Sequence, residues 1–139
     1  MLRNIPSVLS PELVKTLLEM GHGDEIVLAD ANFPAYSNNK HVIRADGIGI
    51  PELLTAILQL MPLDTYSSWQ VGLMETVQDD PRPKIWDTYD RMISAHMADY
   101  KVEPFARFAF YQHTQKASAV VLTGETSLYG NIILKKGVL

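Results

Sequence analysis

The chain reads as an α/β protein, a single domain over residues 1–139 with three layers, α/β/α, around a mixed and mainly parallel sheet. Three observations predict this. Helical and strand-like patterns alternate along most of the sequence, as in layered α/β folds. The strand-like runs are short and continuously apolar, as in Ile26 to Ala29, which is the pattern of strands covered on both faces. The last two runs are joined only by the turn-rich Thr123-Gly124-Glu125-Thr126-Ser127 and a few further residues, too little chain for a crossover helix, so the sheet is not purely parallel.

Each element has its own signal. Ser10-Pro11-Glu12 starts a helix: serine caps free amides, proline fits the first turn, and glutamate suits the positive end of the helix dipole. Leu13, Val14, Leu17, Leu18 and Met20 continue it at helical spacing, and Gly21 is its expected stop. Ile26 to Ala29 form the first strand. Asn32-Phe33-Pro34 breaks the chain into a loop, and Val42-Ile43-Arg44 is a second strand before the Asp46-Gly47 turn. A helix runs from Pro51 to Leu60 and ends at Pro62, because proline disfavours helical geometry in its predecessor. Trp69 to Val77 offers a third strand by alternation. After the charged, proline-rich Asp79 to Pro83, a long helix is expected from Lys84 to Tyr100, with Ile85, Tyr89, Met92, Ile93 and Met97 on one side. Glu103 to Ala117 suits either class, and helix is favoured. Ala119 to Leu122 and Ile132 to Leu134 close the sheet.

Composition excludes several classes of function. The chain is 139 residues long, 47% hydrophobic and 20% charged, the balance of a folded globular domain. Twelve Lys and Arg against sixteen Asp and Glu give a formal charge of −4, and the basic residues are scattered, so neither nucleic acid nor an anionic membrane surface is expected as a partner. There is no cysteine, which removes disulfide scaffolds and thiolate nucleophiles. MLRNIPSVLSPELVK carries no apolar core long enough for a signal peptide, and no run is long enough for a membrane helix, so a cytoplasmic location is expected. His22, His41, His96 and His113 are far apart, with no His-x-x-x-His pair, and no metal is expected. Gly47-Ile48-Gly49 lacks the third glycine and the lysine of a phosphate loop, and no Gly-x-Ser-x-Gly elbow is present.

The candidate chemistry begins at GHGDEIVLADANFPA, residues 21–35. His22 between Gly21 and Gly23 is an imidazole on a permissive backbone, able to accept and give protons near neutral pH, although a glycine-flanked histidine after a helix also fits an ordinary loop. Asp30 closes the apolar run, and ligands of open α/β sheets gather outside the carboxyl ends of strands; one sheet edge is expected to hold both residues. An Asx turn is the competing reading of Asp30. Further on, Arg107 to Tyr111, Thr123 to Glu125 and Tyr129-Gly130-Asn131 bring guanidinium, phenol and amide groups that can fix hydroxyls directionally. Turn chemistry and a salt bridge would equally explain them. Trp69, Trp86 and Tyr89 suit core packing better than stacking on a sugar.

GHGDEIVLADANFPA, VIRADG, RFAFYQ, TGET and YGNIILKKGV, in this order and spacing, resemble the L-fucose mutarotase family, which is related to ribose pyranase; the resemblance runs from about Ser10 to Val138. It implies a cofactor-independent isomerase that interconverts the α and β anomers of a free monosaccharide such as L-fucose. It also implies His22 as general acid/base, with Asp30, Arg107, Tyr129 and Asn131 contacting the sugar. Arg107 stands where the ribose branch typically has histidine, which leans toward fucose. The family further implies a homo-oligomer, a decamer built from dimers or pentamers, with the site completed by a neighbouring subunit. A ribose pyranase-like activity and a non-catalytic monosaccharide-binding module are the alternatives.

Overall fold

A computed structural model describes residues 1–139. Its elements are α1 (Pro11–Glu19), β1 (Glu25–Ala29), α2 (Ala35–Asn38), β2 (Val42–Ala45), α3 (Ile50–Leu60), β3 (Val71–Met74), α4 (Ile85–Ser94), β4 (Val102–Phe105), α5 (Arg107–Lys116), β5 (Ala119–Thr123) and β6 (Ile132–Lys135). Six strands form one sheet in the order β2-β5-β1-β6-β3-β4. β5 pairs parallel with β1 and β2, and β3 parallel with β4, whereas β6 runs antiparallel to both β1 and β3. Five strands therefore point one way and β6 alone is reversed. No helix is long and apolar enough to cross a membrane.

The apolar runs are explained by the two cores they fill. Side chains alternate across a strand, so Ile26, Leu28, Ala119, Val121, Ile132 and Leu134 meet α1, α3 and α4 on one face. Val27, Ala29, Val120, Leu122 and Ile133 meet Phe33, Ala35 and Phe110, from α2, α5 and the loop before α2, on the other. This is the expected three-layer α/β/α arrangement around a mixed, mainly parallel sheet. The Ser10 Oγ accepts the Leu13 amide at 3.2 Å, so the helix start read from the sequence is a working cap.

Four expectations change. The two closing strands are opposed in direction but not neighbours, because β1 lies between them. The segment read as a helix from Glu103 to Ala117 splits: Val102–Phe105 is an edge strand and only Arg107–Lys116 is helical. Pro104 is tolerated because an edge strand has one side without ladder bonds. The helix expected to reach Tyr100 stops at Ser94; Met97 and Tyr100 still pack against the core from irregular chain. The loop after Pro34 contains the single helical turn α2.

Candidate active site

Topology sorts the candidate residues before any distance is considered. Asp30 follows β1, Arg107 follows β4, and Tyr129 and Asn131 precede the reversed strand β6, so all four lie at the carboxyl edge of the parallel strands. His22 precedes β1 and lies at the opposite edge. β1 has five residues, roughly 17 Å of extended chain at about 3.3 Å per residue. The expectation that one sheet edge holds both His22 and Asp30 is therefore corrected: a strand fully crossing the sheet separates them.

At the carboxyl edge Asp30 is 7% exposed. Its backbone amide donates to the Asn131 Oδ1 at 2.7 Å, and its own Oδ1 accepts the Asn32 amide at 3.0 Å. Burial pushes the Asp30 carboxyl above its ordinary range, and the charge of Glu125 adds to this; the Asn32 and Phe33 amides and the Asn131 side chain pull it back only in part. Asp30 and Asn131 thus form one rigid pair with an acceptor and an amide side by side, groups that can fix neighbouring hydroxyls directionally.

Tyr129 has a left-handed backbone, φ 56°, uncommon for a residue with a side chain. Helix α4 holds the chain in this shape. The Trp86 Nε1 donates to the Tyr129 carbonyl at 2.9 Å, and the buried Tyr89 hydroxyl donates to the Gly130 carbonyl at 2.6 Å. Gly130 is needed for this approach, since a Cβ there would lie 3.0 Å from the Ser127 carbonyl oxygen and 3.2 Å from the Glu125 Cγ. The Tyr129 hydroxyl donates to Asp80 and accepts the Val77 amide. The bond to Asp80 raises the phenol above its ordinary range, so the resting hydroxyl carries its proton.

Arg107 opens α5 and is exposed. Its Nε donates to the Tyr111 hydroxyl at 3.0 Å, and its guanidinium lies 5.5 Å from the Tyr111 ring centre and 5.6 Å from that of Phe108. No carboxylate pairs with it, so the terminal nitrogens remain available to a ligand. Tyr111 in turn packs edge-on against Phe33, which is three residues past Asp30.

At the other edge the His22 side chain is 45% exposed and its Nε2 lies 2.9 Å from the Asp64 Oδ1. Asp64 is buried, and the same Oδ1 accepts the Tyr66 amide at 3.0 Å. Burial alone would raise the Asp64 carboxyl, but the His22 hydrogen bond, the Tyr66 amide and the charges of His22 and Lys135 outweigh it and hold the carboxyl below its ordinary range. An ionised carboxylate only accepts, so Nε2 carries the proton and the Nδ1 lone pair is left free. Gly23, at φ 84°, makes the turn that presents the ring. Asp24 does not orient the imidazole; its Oδ2 accepts the Gly21 amide at 2.7 Å and caps the turn.

Sequence reading missed Asp64, which is 42 residues from its imidazole partner, and no local spacing could have linked them. It also missed the roles of Trp86 and Tyr89, whose apolar rings fit the helix stripe while their polar atoms hold the 129–130 carbonyls.

A family model described as the RbsD / FucU transport protein family matches residues 3–139. The chain is 53% identical to the fucose mutarotase of Danio rerio, over 99% of this chain and 94% of that relative. It is 47% identical to the L-fucose mutarotase of Histophilus somni (strain 2336), over 99% and 97%. Among solved structures it is similar to the fucose mutarotase in complex with L-fucose from Streptococcus pneumoniae, with 55% identity, a TM-score of 0.96 and 99% of each chain covered.

Proposed function

The chain belongs to the RbsD / FucU family, and from that premise we propose that it is a cytoplasmic L-fucose mutarotase that works as a homo-oligomer. The observation that carries this reading is the end-to-end likeness to a fucose mutarotase solved with L-fucose, at 55% identity. The carboxyl edge supplies what a sugar needs: the Asp30 carboxylate, the Asn131 amide, the Tyr129 phenol and the Arg107 guanidinium.

The reaction moves two protons and needs no change in oxidation state. The His22 Nδ1 takes the proton of the anomeric hydroxyl. As the C1–O1 bond becomes a carbonyl, the bond from C1 to the ring oxygen breaks, and the ring oxygen takes a proton from the Tyr129 hydroxyl, which turns from Asp80 to give it. Rotation about C1–C2 exposes the other face of the aldehyde, and the same steps in reverse close the ring to the other anomer. A positioned acid/base group contributes about 10²–10⁴-fold to such a transfer. Asp64 keeps the proton on Nε2 and stabilises the positive charge the ring takes on.

One subunit does not bring His22 to its own carboxyl edge, so the His22–Asp64 pair of one copy serves the edge of another. Exposed apolar residues flank both halves and support burial between copies: Tyr66 beside His22 is 77% exposed, and Phe108 and Leu128 at the carboxyl edge are 73% and 72% exposed. A decamer built from dimers or pentamers is the assembly we favour.

NMR exchange spectroscopy on L-fucose, with D-ribose in parallel, tests the activity. His22→Ala and Arg107→Ala proteins, each inactive alone, are then mixed and reassembled. In a random one-to-one mixture about a quarter of the sites pair an intact His22 with an intact edge, so about a quarter of the original rate returns. No acceleration by the unmodified protein removes the mutarotase reading, and no recovery on mixing removes the shared site.

A further inference from the structure

Glu125 lies outside the groups assigned to the sugar, yet three of its atoms hold them together. Its backbone carbonyl accepts the Ala31 amide at 2.8 Å, which fixes the peptide next to Asp30. Its Oε1 accepts the Ser127 amide at 3.0 Å, at the start of the turn that carries Tyr129 and Asn131. Its Oε2 accepts the Ile50 amide at 3.4 Å, at the first residue of α3. The circuit closes where the Asn131 side chain accepts the Asp30 amide at 2.7 Å. The Glu125 amide itself donates to the Thr123 hydroxyl at 3.1 Å, and that hydroxyl donates to the Ala29 carbonyl at 2.8 Å, so the residue is tied to the end of β1 from both sides.

Such a carboxylate is an unfavourable neighbour for the fold. Its charge opposes ionisation of the buried Asp30 and of Tyr89. Local turn formation alone does not ask for it, because a neutral residue could follow Gly124 without this repulsion. What the anion supplies is two acceptor oxygens aimed in different directions, and an amide side chain has only one.

We propose that Glu125 is a positioning residue of the sugar pocket: its backbone carbonyl holds the peptide after Asp30 while its carboxylate bonds the Ser127 and Ile50 amides at once, and the two together set the spacing between Asp30 and the Tyr129–Asn131 turn. The proposal rests on the mutarotase reading above and adds to it a determinant of sugar affinity that does not touch the sugar. The imidazole that takes the anomeric proton stands with Asp64 at the opposite sheet edge, and Tyr129 has anchors of its own, the Trp86 indole on its carbonyl and Asp80 and the Val77 amide on its hydroxyl, so disturbing Glu125 should loosen binding far more than it slows the bound reaction. That split separates positioning from a general loss of structure.

The test follows the rate of L-fucose anomer exchange against sugar concentration for the unmodified protein, Glu125→Gln and Glu125→Ala, together with amide hydrogen exchange at Ser127 and Ile50. Gln keeps one acceptor and turns an NH₂ toward the other amide; Ala removes both. The half-saturating concentration should rise about threefold or more in Glu125→Gln and about tenfold or more in Glu125→Ala, the scale of one and then two lost hydrogen bonds, with the saturated rate changed less than threefold. Amide protection should fall at Ile50 or Ser127 in the first variant and at both in the second. A half-saturating concentration within twofold of the original in Glu125→Ala overturns the proposal, as does a fall in the saturated rate at unchanged half-saturation. If the unmodified protein leaves fucose exchange unaccelerated, the mutarotase reading fails by itself, and unchanged protection of the two amides would separately refute the structural half of the proposal.

Discussion

Replacing Asp64 in two ways separates what its charge does from what its geometry does. Its Oδ1 accepts both the His22 Nε2 at 2.9 Å and the Tyr66 amide at 3.0 Å, while Oδ2 makes no hydrogen bond. In Asp64→Asn the Tyr66 amide selects the orientation that leaves the oxygen in the Oδ1 place and turns the new NH₂ to the Oδ2 side. The His22 ring therefore keeps its proton on Nε2 and its free Nδ1, and only the negative charge is lost. A hydrogen bond to a charged group contributes about 1.5–3 kcal/mol against about 1 kcal/mol for a neutral one, a difference of about 0.5–2 kcal/mol, so the saturated exchange rate on L-fucose should fall by a factor of about 2 to 30. Asp64→Ala also releases the ring from its tautomer and angle, and the loss should approach the whole acid/base contribution, about 10²–10⁴-fold. Exchange spectroscopy on both variants, with circular dichroism to show that each is folded, makes the comparison. Equal losses in the two variants would refute the claim that the shared Oδ1 preserves the tautomer, and an undiminished rate in Asp64→Ala would remove Asp64 from the reaction.

Three further outcomes concern stability. Tyr89→Phe leaves the ring packed but deprives the buried Gly130 carbonyl of its 2.6 Å donor, so urea denaturation should show a loss of about 1–3 kcal/mol; a change below about 0.5 kcal/mol would mean the hydroxyl does not anchor the turn. Asp30 titrates above its ordinary 3.8 in the folded chain, so folding takes up a proton and the ionised residue destabilises the protein above that folded value, an effect that disappears as pH falls below the unfolded one. Asp30→Asn should therefore be more stable than the original protein at pH 7, with the gain shrinking toward pH 3.5, and should bind fucose less well. Asp64 has the opposite sign: its lowered carboxyl contributes stability above about 3.8 that is lost as pH falls through the folded value, so Asp64→Asn should lose stability at pH 7. Urea titrations at the two pH values decide both, and a pH-independent difference for either variant would contradict the burial and hydrogen bonds assigned to it.

Much of this protein is written in local pattern. The cap at Ser10, the apolar run of β1 and the short, doubly covered strands follow from amide chemistry and from the two-residue alternation of a sheet buried on both faces. Asp30 could be placed at the end of a strand, and so at a ligand-gathering edge, from its position after Ala29 alone. The edge strand Val102–Phe105 could not be separated from α5, because Phe-Ala-Phe-Tyr just after it satisfies both periods and only pairing with β3 marks residues 102–105 as strand. Strand order was equally out of reach: β1 lies between β5 and β6 although the last two are consecutive in the chain. That order, together with the common direction of β1 and its parallel neighbours, sends His22 to one edge and Asp30, Arg107, Tyr129 and Asn131 to the other. It also brings Asp64 to His22 and Glu125 to Ile50 across long stretches of chain. Periodicity reports which residues are buried and which turn; partnership between distant segments depends on the free energy of the whole packed sheet, and only the tertiary structure decided it.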